Sequence, residues 1–323
     1  MIPDKCCILY NEPGENALPD ELDVLDQVEF IGKTLEKMGI KTSFRGITSD
    51  FMNEIALLSK EKHDFVFNLV ESINNKGELC YFIPALLNMY SIPYSGNPLE
   101  AMFITTSKDL THKFLIKEGI NTPGTFAPSM KNLLTPGKKY IVKPVWEDGS
   151  MGITMDSVFS FDPSDSGRLE DLDDHHWIVQ EYIEGREFNI SLLYGKKDPM
   201  IMSPAEMMFI NFGSDRPKIV DFKAKWETDS FEYKNTVREF PGDKLDPGLS
   251  SGINKIAIEC WVAFGLKGYA RVDLRIDEND IPYVIEVNAN PCISPDSGFV
   301  AATHEAGLSF SEVLECIISD LNY

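Results

Sequence analysis

The chain has 323 residues, of which 30 are Lys or Arg and 51 are Asp or Glu, so its formal net charge is −21. So acidic a surface repels nucleic-acid phosphates and anionic lipid, which argues strongly against nucleic-acid binding or membrane-surface binding as the main role. A hydrophobic fraction of 43% with 25% charged residues is ordinary for a globular protein and excludes wholesale disorder.

Cysteine usage and the first residues predict the compartment. The six cysteines form no CxxC pair and have no zinc-like spacing. The chain starts without a basic n-region or an apolar h-region, and no apolar run approaches the roughly 20 residues that cross a bilayer. We therefore expect a soluble, cytoplasmic protein with reduced thiols.

The first hundred residues alternate between strand and helix patterns. Residues 6–10 form an apolar, strand-like run, and residues 25–38 repeat an apolar side chain every three or four positions until Gly39. Residues 65–70 are again apolar, and residues 79–89 look helical. Strand, helix, strand and helix in this order predict a parallel sheet.

Shorter strands begin near Thr105, between turn signals rich in Pro and Gly. Strand candidates follow at 139–144, 177–183, 187–194, 269–277 and 281–291. The last helix opens with a possible capping box from Ser309 to Glu312. These changes divide the chain into three predicted regions, at 1–104, 105–183 and 184–323.

The strand pair near the C-terminus carries the clearest chemical signal. Side chains alternate across a sheet, so Arg271, Asp273 and Arg275 share one face. Glu286, Asn288 and Asn290 share one face of the next strand. A solvated polar face would be the ordinary interpretation, but these side chains lie in apolar segments, where a carboxylate needs a partner. If the two faces coincide, the oxygen cluster suits Mg²⁺.

Lys143 lies inside the apolar strand YIVKP, where a lysine is costly unless its ammonium meets an anion. The loop that follows, residues 147–152, contains two glycines and can bring backbone N–H groups close to a phosphate. The loop alone could equally be a hairpin turn. Lysine and loop together predict a phosphate site.

Residues 221–226, DFKAKW, follow a stretch rich in Pro and Gly. They could be a mobile, mixed-charge surface segment, or a lid that closes a lysine over a transferred phosphate. No Walker loop is present in the sequence, which argues against P-loop kinases.

Taken together, these segments resemble the ATP-grasp superfamily and, within it, the D-alanine–D-alanine ligase-like carboxylate–amine ligases. The resemblance spans nearly the whole chain, with its matches in the expected order. The matching segments are Gly77-Glu78, IPYSGN at 92–97, Ser107-Lys108 with Thr122-Pro123, IVKP at 141–144, IEGREF at 183–188, DFKAKW, ARVDLRID at 270–277 and IEVNANP at 285–291.

The resemblance implies an α/β (α+β) protein with the ATP-grasp fold. The first region would be an N-terminal parallel-sheet domain, and the other two would be the central and C-terminal ATP-grasp lobes, with ATP between them. ATP and Mg²⁺ (or Mn²⁺) are the implied cofactors, and the partners would be a small-molecule carboxylate and an amine. A homodimer is expected by analogy with the fold.

The resemblance also implies roles for individual residues. Lys108 and Lys143 would contact phosphates under the Ser150 loop. Arg271 would stabilise the acyl phosphate and the tetrahedral intermediate, and Lys225 would belong to the closing loop. The adenine would lie at Gln180, Glu181 and Ile183, the ribose at Glu187, and the metal at Asp273, Glu286 and Asn288.

The substrate half of the implied site departs from the family. The family has a histidine before the Gly-Glu match, where this chain has residues 70–74, VESIN, and tyrosines in the closing loop, where it has Phe222 and Trp226. Glu71, Asp296 and Ser297 are the candidates for substrate contacts, and they could equally be ordinary loop caps. Cys292 is expected to be structural.

These departures predict an ATP-dependent ligase that forms an amide through an acyl phosphate, with amino acid-like substrates other than two D-alanines. One alternative is D-alanine–D-alanine ligase with a variant pocket. Another is an ATP-grasp kinase that stops at phosphoryl transfer. The third is a nucleotide-binding regulatory protein without turnover.

Overall fold

A computed structural model describes residues 3–14, 17–147 and 149–323, and the described chain forms three β-sheets. The first is the predicted parallel sheet, with strand order β2-β1-β3. Its strands are β1 (Lys5–Asn11), β2 (Lys41–Ile47) and β3 (Phe65–Asn68). Residues 6–9 of the middle strand are apolar and buried, as expected for a strand covered on both faces.

The second sheet is antiparallel, with order β4-β7-β5-β6. Its strands are β4 (Thr125–Phe126), β5 (Lys139–Pro144), β6 (Val158–Ser160) and β7 (Trp177–Glu181). The third and largest sheet has order β11-β10-β8-β12-β13, and β9 pairs with β8 beside this path. Its strands are β8 (Arg186–Leu193), β9 (Met200–Ile201), β10 (Ala205–Phe209), β11 (Thr236–Glu239), β12 (Tyr269–Ile276) and β13 (Pro282–Asn288).

Helices surround these sheets. The first helix begins with proline at its first position, and its end is followed by Gly39 at φ +85°, where a glycine is favoured. The helices are α1 (Pro19–Lys37), α2 (Phe51–Leu58), α3 (Phe82–Met89), α4 (Leu99–Thr106), α5 (Lys108–Lys117), α6 (Phe222–Trp226), α7 (Phe231–Asn235), α8 (Pro247–Ala263), α9 (Gly298–Glu305) and α10 (Phe310–Ile318). The predicted capping box at Ser309 is confirmed.

The N-terminal sheet and the C-terminal helices share one apolar core. Ile8 and Phe67 of the parallel sheet pack in the same cluster as Phe299 of α9 and Leu314 of α10. A second core lies between α8 and the large sheet. The parallel sheet therefore packs against α9 and α10, near the end of the chain.

The division of the chain at 104 and 183 stays a prediction. Within the described residues, no helix is long and apolar enough to cross a membrane.

Candidate functional site

A cavity of about 1620 Å³ is lined by residues from all three sheets. It contains every site residue predicted from the sequence except Lys108. Those lining it are Glu71, Lys143, Ser150, Gln180, Glu181, Ile183, Glu187, Lys225, Arg271, Asp273, Glu286, Asn288, Asp296 and Ser297. Lys108 begins α5 nearby, and its ammonium donates to the carbonyl of Glu147.

The polar faces of β12 and β13 coincide. In the antiparallel register, Arg271 lies opposite Asn288 and Asp273 lies opposite Glu286. The register shifts immediately after Asp273, so one extra residue is accommodated in β13 without turning the polar face away. The oxygen cluster predicted from alternation is therefore brought together.

Arg271 and Asp273 form a two-fold hydrogen-bonded ion pair on that face. Nε of Arg271 donates to Oδ1 of Asp273 at 2.7 Å, and Nη2 donates to Oδ2 at 2.8 Å. A carboxylate oxygen has more than one acceptor site, so the pairing leaves Asp273 able to accept a second partner. The two hydrogen bonds also hold the guanidinium of Arg271 in a fixed orientation.

Glu187 and Arg275 make a second buried pair, one strand away. Nη1 of Arg275 donates to Oε2 of Glu187 at 3.0 Å, and its Nε donates to the carbonyl of Ile183 at 3.0 Å. Burial raises the pKa of Glu187, and the Arg275 guanidinium opposes that shift. Arg275 thereby ties the connection between β7 and β8, at Ile183, to the large sheet.

Lys143 is 9% exposed, and its Nζ donates to Oε1 of Gln180 at 2.9 Å. Burial lowers the pKa of Lys143 to about 8, with Glu286 acting in the opposite direction and Lys108 in the same one. The hydrogen-bond acceptor is a neutral amide and the nearby carboxylates of Glu286 and Glu187 do not outweigh burial, so Lys143 is suited to receive an anion.

The loop after β5 is bound to α6 and to the segment that leads into it. Ser150 Oγ donates to the carbonyl of Val220 at 2.7 Å, and Trp226 Nε1 donates to the carbonyl of Gly149 at 3.1 Å. Ser150 itself has φ +65°, a left-handed conformation that is uncommon for a residue with a side chain. Asp148, within the predicted loop, lies outside the described residues.

Residues 222–226 form a short helix, α6, and its N-cap Asp221 accepts a hydrogen bond from the Ala224 N–H at 2.9 Å. Lys225 on this helix lines the cavity, whereas Lys223 on the same helix is exposed. Burial lowers the pKa of Lys225, and the neighbouring Arg271 adds to the shift, against Glu286 and Asp273. Lys225 is thus directed towards the carboxylates of the strand pair.

Asn11, at the end of β1, was not predicted from the sequence. Its Oδ1 accepts from the backbone N–H groups of Glu71 at 2.8 Å and Ser72 at 3.2 Å. Its Nδ2 donates to the carbonyl of Ser72 at 2.6 Å. Asn11 therefore fixes the loop that carries Glu71 at the rim of the cavity.

Ser297 is the N-cap of α9, and its hydroxyl accepts from Val300 N–H at 3.2 Å. Asp296 is exposed and accepts from the hydroxyl of Ser294 at 3.0 Å. Cys292 Sγ donates to Asp23 of α1 at 2.9 Å. The contact of Cys292 joins the segment after β13 to the first helix.

The C-terminal part of the chain matches a known family. The family model described as D-ala D-ala ligase C-terminus covers residues 129–319. A D-alanine–D-alanine ligase from Maridesulfovibrio salexigens is 30% identical in an alignment of 304 positions that covers 89% of this chain and 90% of that protein.

The chain belongs to the D-alanine–D-alanine ligase family.

Solved structures show that the family's ATP-grasp fold extends over the whole chain. The D-alanine–D-alanine ligase of Bacillus anthracis complexed with ATP has a TM-score of 0.72 at 21% identity, covering 99% of this chain and 97% of that one. The VanG D-Ala:D-Ser ligase of Enterococcus faecalis has a TM-score of 0.72 at 19% identity, covering 98% of both chains. The predicted fold class is confirmed.

Arg238 is the cavity residue that sequence reasoning missed most completely. It lies on β11, opposite Met207 of β10, and both side chains line the cavity. The strand TVRE is too short for its alternation to distinguish a buried face, so the sequence carried little signal. Arg275 was visible in the alternation of β12, although its pairing with Glu187 was not.

Proposed function

We propose that this chain is an ATP-dependent carboxylate–amine ligase that forms an amide bond through an acyl phosphate. Its substrates are amino acid-like and are not two D-alanines. The observation that carries the proposal is the shared face of β12 and β13, where Arg271, Asp273, Glu286 and Asn288 meet Lys225 of α6 in one cavity.

The phosphates of ATP bind at Lys143 and Lys108, beneath the loop that contains Ser150. The environment of Lys143 supports this role. Among the described residues, the only hydrogen-bond acceptor of its buried ammonium is the neutral side chain of Gln180. The Ser150 hydroxyl is engaged with Val220, so it holds the loop against α6. Backbone N–H groups of the loop are then available to the phosphates.

The affinity for the ATP analogue AMPPNP is expected to fall as the pH rises above about 8. Below that pH Lys143 is protonated and attracts phosphate, and a bound phosphate raises the pKa of Lys143. Affinity is therefore lost between the pKa of the free protein and the higher pKa of the complex. Calorimetric titration from pH 7 to 9.5 measures this slope.

The Lys143→Met variant should bind AMPPNP weakly at every pH, and its affinity should lack the part of the pH dependence that Lys143 causes. Lys139→Met is the matched control, because Lys139 lies on the same strand but is exposed. Equal slopes in the wild type and Lys143→Met would contradict the assignment.

The base and sugar of ATP bind along the end of β7 and the start of β8. Gln180, Glu181 and Ile183 lie at the adenine and Glu187 at the ribose. The support is geometric, because all four line the cavity and Arg275 fixes Ile183 and Glu187 relative to each other. A carboxylate whose pKa is raised by burial also gains from a hydroxyl donor.

Asp273, Glu286 and Asn288 fit a hard divalent cation such as Mg²⁺ or Mn²⁺. The donor set is all oxygen, and two carboxylates with one amide match the few protein ligands that Mg²⁺ takes beside phosphates. When bound, the ion neutralises charge that develops on the transferred phosphoryl group. Asp273 keeps acceptor capacity for it beyond its pair with Arg271.

In the first step, a carboxylate oxygen of one substrate attacks the γ-phosphorus of ATP, and the bond to ADP breaks. In the second, the amine attacks the acyl carbon, phosphate leaves and the amine loses a proton. Arg271 stabilises the oxyanion of the tetrahedral intermediate, because its guanidinium is held in place by Asp273.

The acyl phosphate must be protected from water. The contacts from Ser150 to Val220 and from Trp226 to Gly149 bring α6 over the phosphate loop. Lys225 enters the site with α6, so its charge arrives when the site closes.

Glu71, Asp296 and Ser297 contact the substrates. Glu71 is held at the cavity rim by Asn11, and Ser297 opens α9, where its hydroxyl can donate to a carboxylate of the amine substrate. The departures at residues 70–74, Phe222, Trp226 and Asp296 support substrates other than two D-alanines. The sequence identity to D-alanine–D-alanine ligases favours the alternative, in which the variant pocket still accepts them.

ADP release from Mg·ATP across single and paired amino acids, with mass spectrometry of the products, tests the proposal. We expect turnover to need two different components and to yield a product one water lighter than their sum. Comparable turnover with D-alanine alone would establish the alternative. ATP binding without ADP release from any pair would contradict ligase activity.

A further inference from the structure

An arginine without a partner lies at the edge of the cavity that faces the proposed amine substrate. Within residues 3–14, 17–147 and 149–323, the guanidinium of Arg238 makes no hydrogen bond and no ion pair, although the backbone of Arg238 pairs with β10. Its guanidinium is close to the start of α9. A Cβ atom added to Gly298 would lie 3.5 Å from its Nη2 and 3.6 Å from its Nε. Arg238 is therefore beside Ser297, the proposed contact for the amine substrate.

The charge of Arg238 is not needed by the groups already assigned to the reaction. Lys108, Lys143, Lys225 and Arg271 face the phosphates and the reacting carboxylate. Burial lowers the pKa of Arg238. The positive charge of Arg271 adds to this shift, whereas the carboxylate of Asp296 opposes it. Asp296 is exposed, and one of its oxygens already accepts from Ser294. A half-buried guanidinium in this position is destabilising until an anion meets it.

The surroundings of Arg238 indicate what kind of group carries that anion. Met207, directly opposite in the register, lines the cavity and offers apolar surface for methylene groups. Thr236, two residues along the same face of β11, also lines the cavity. Its Oγ1 is buried and has no hydrogen-bond partner within the described residues. A short aliphatic chain that ends in a carboxylate is complementary to this part of the cavity, where Met207 is apolar and Arg238 is a cation.

We propose that Arg238 binds the side-chain carboxylate of the amine substrate, which is therefore an acidic amino acid of the aspartate or glutamate class. This inference rests on the proposed ligase function. The α-carboxylate of that substrate lies at Ser297, its methylene groups lie against Met207, and its side-chain carboxylate pairs with Arg238. Arg238 selects the substrate and takes no part in the bond-making steps.

Amide formation with pairs of isosteric acceptors tests this assignment. Aspartate is compared with asparagine and glutamate with glutamine, as both enantiomers, against a panel of carboxylate substrates that includes D-alanine. In the wild type we expect kcat/KM for the acid to exceed that for its amide about 100-fold. In Arg238→Gln this ratio should fall to about 1, mainly through a higher KM for the acid.

Two further variants separate charge from structure. Arg238→Lys should restore part of the preference, because it keeps the charge and loses the planar fork. Arg168→Gln removes the same charge from an exposed position that does not line the cavity, and it should keep the full preference.

The failure of this inference is distinguishable from the failure of the proposed function. Amide products with neutral acceptors that match or exceed the acids, or an unchanged preference in Arg238→Gln, would overturn the role of Arg238 alone. No product one water lighter than any substrate pair would overturn ligase activity, and this role with it.

Discussion

Asp273→Asn and Glu286→Gln are each expected to lower kcat about 1000-fold, which corresponds to about 4 kcal/mol in the barrier. Each substitution removes a negative charge from the proposed cation site, and with it the neutralisation of charge on the transferred phosphoryl group. The two side chains face each other across β12 and β13, and Asp273 also holds Arg271, so Asp273→Asn should cost at least as much as Glu286→Gln.

The fold should tolerate both changes. The amides are nearly the same size as the carboxylates. Neither Asp273 nor Glu286 belongs to the apolar core of the large sheet. Steady-state ADP release and thermal unfolding measure the two properties separately. Glu278→Gln, in the exposed turn between the same strands, is the control and should behave as the wild type. Near-normal turnover in both site variants would refute the cation site.

Lys225→Ala is expected to slow the chemical step by a factor of about 100 to 1000, while the affinity for AMPPNP changes less than about fivefold. Lys225 enters the cavity on α6 and is close to Arg271 and the carboxylates of the strand pair. Its charge therefore acts on the closed site, after ATP has bound.

Single-turnover kinetics and calorimetric titration distinguish the two effects. Lys223→Ala is the matched control, because Lys223 lies on the same short helix with its side chain exposed. A loss of nucleotide affinity with an unchanged chemical rate would contradict this role for Lys225.

The site was most predictable where strand periodicity carried the information. Alternation alone placed Arg271 with Asp273 and Glu286 with Asn288, and the register of β12 and β13 joined the two pairs. The apolar residues on either side of Lys143 identified it as a site residue, because a buried ammonium needs a partner. Both signals are local in sequence.

Residues that reach the site through long-range pairing were not predictable. Arg238 approaches the cavity because β11 pairs with β10, which pairs with β8, and a four-residue strand does not encode that order. Asn11 holds Glu71 across 60 residues of chain. The α6 helix depends on its Asp221 cap and on the bond from Trp226 to Gly149, and the sequence could not distinguish this helix from a mobile segment.

The transfer of an oxygen atom from the carboxylate substrate to inorganic phosphate tests the central claim most directly. The carboxylate substrate identified by product mass is labelled with ¹⁸O at both oxygens, and the released phosphate is analysed by mass spectrometry. An acyl-phosphate route places one labelled oxygen in each phosphate, because the carboxylate oxygen that attacks phosphorus leaves with it. Unlabelled phosphate from a completed amide-forming reaction would contradict activation of the carboxylate by phosphoryl transfer.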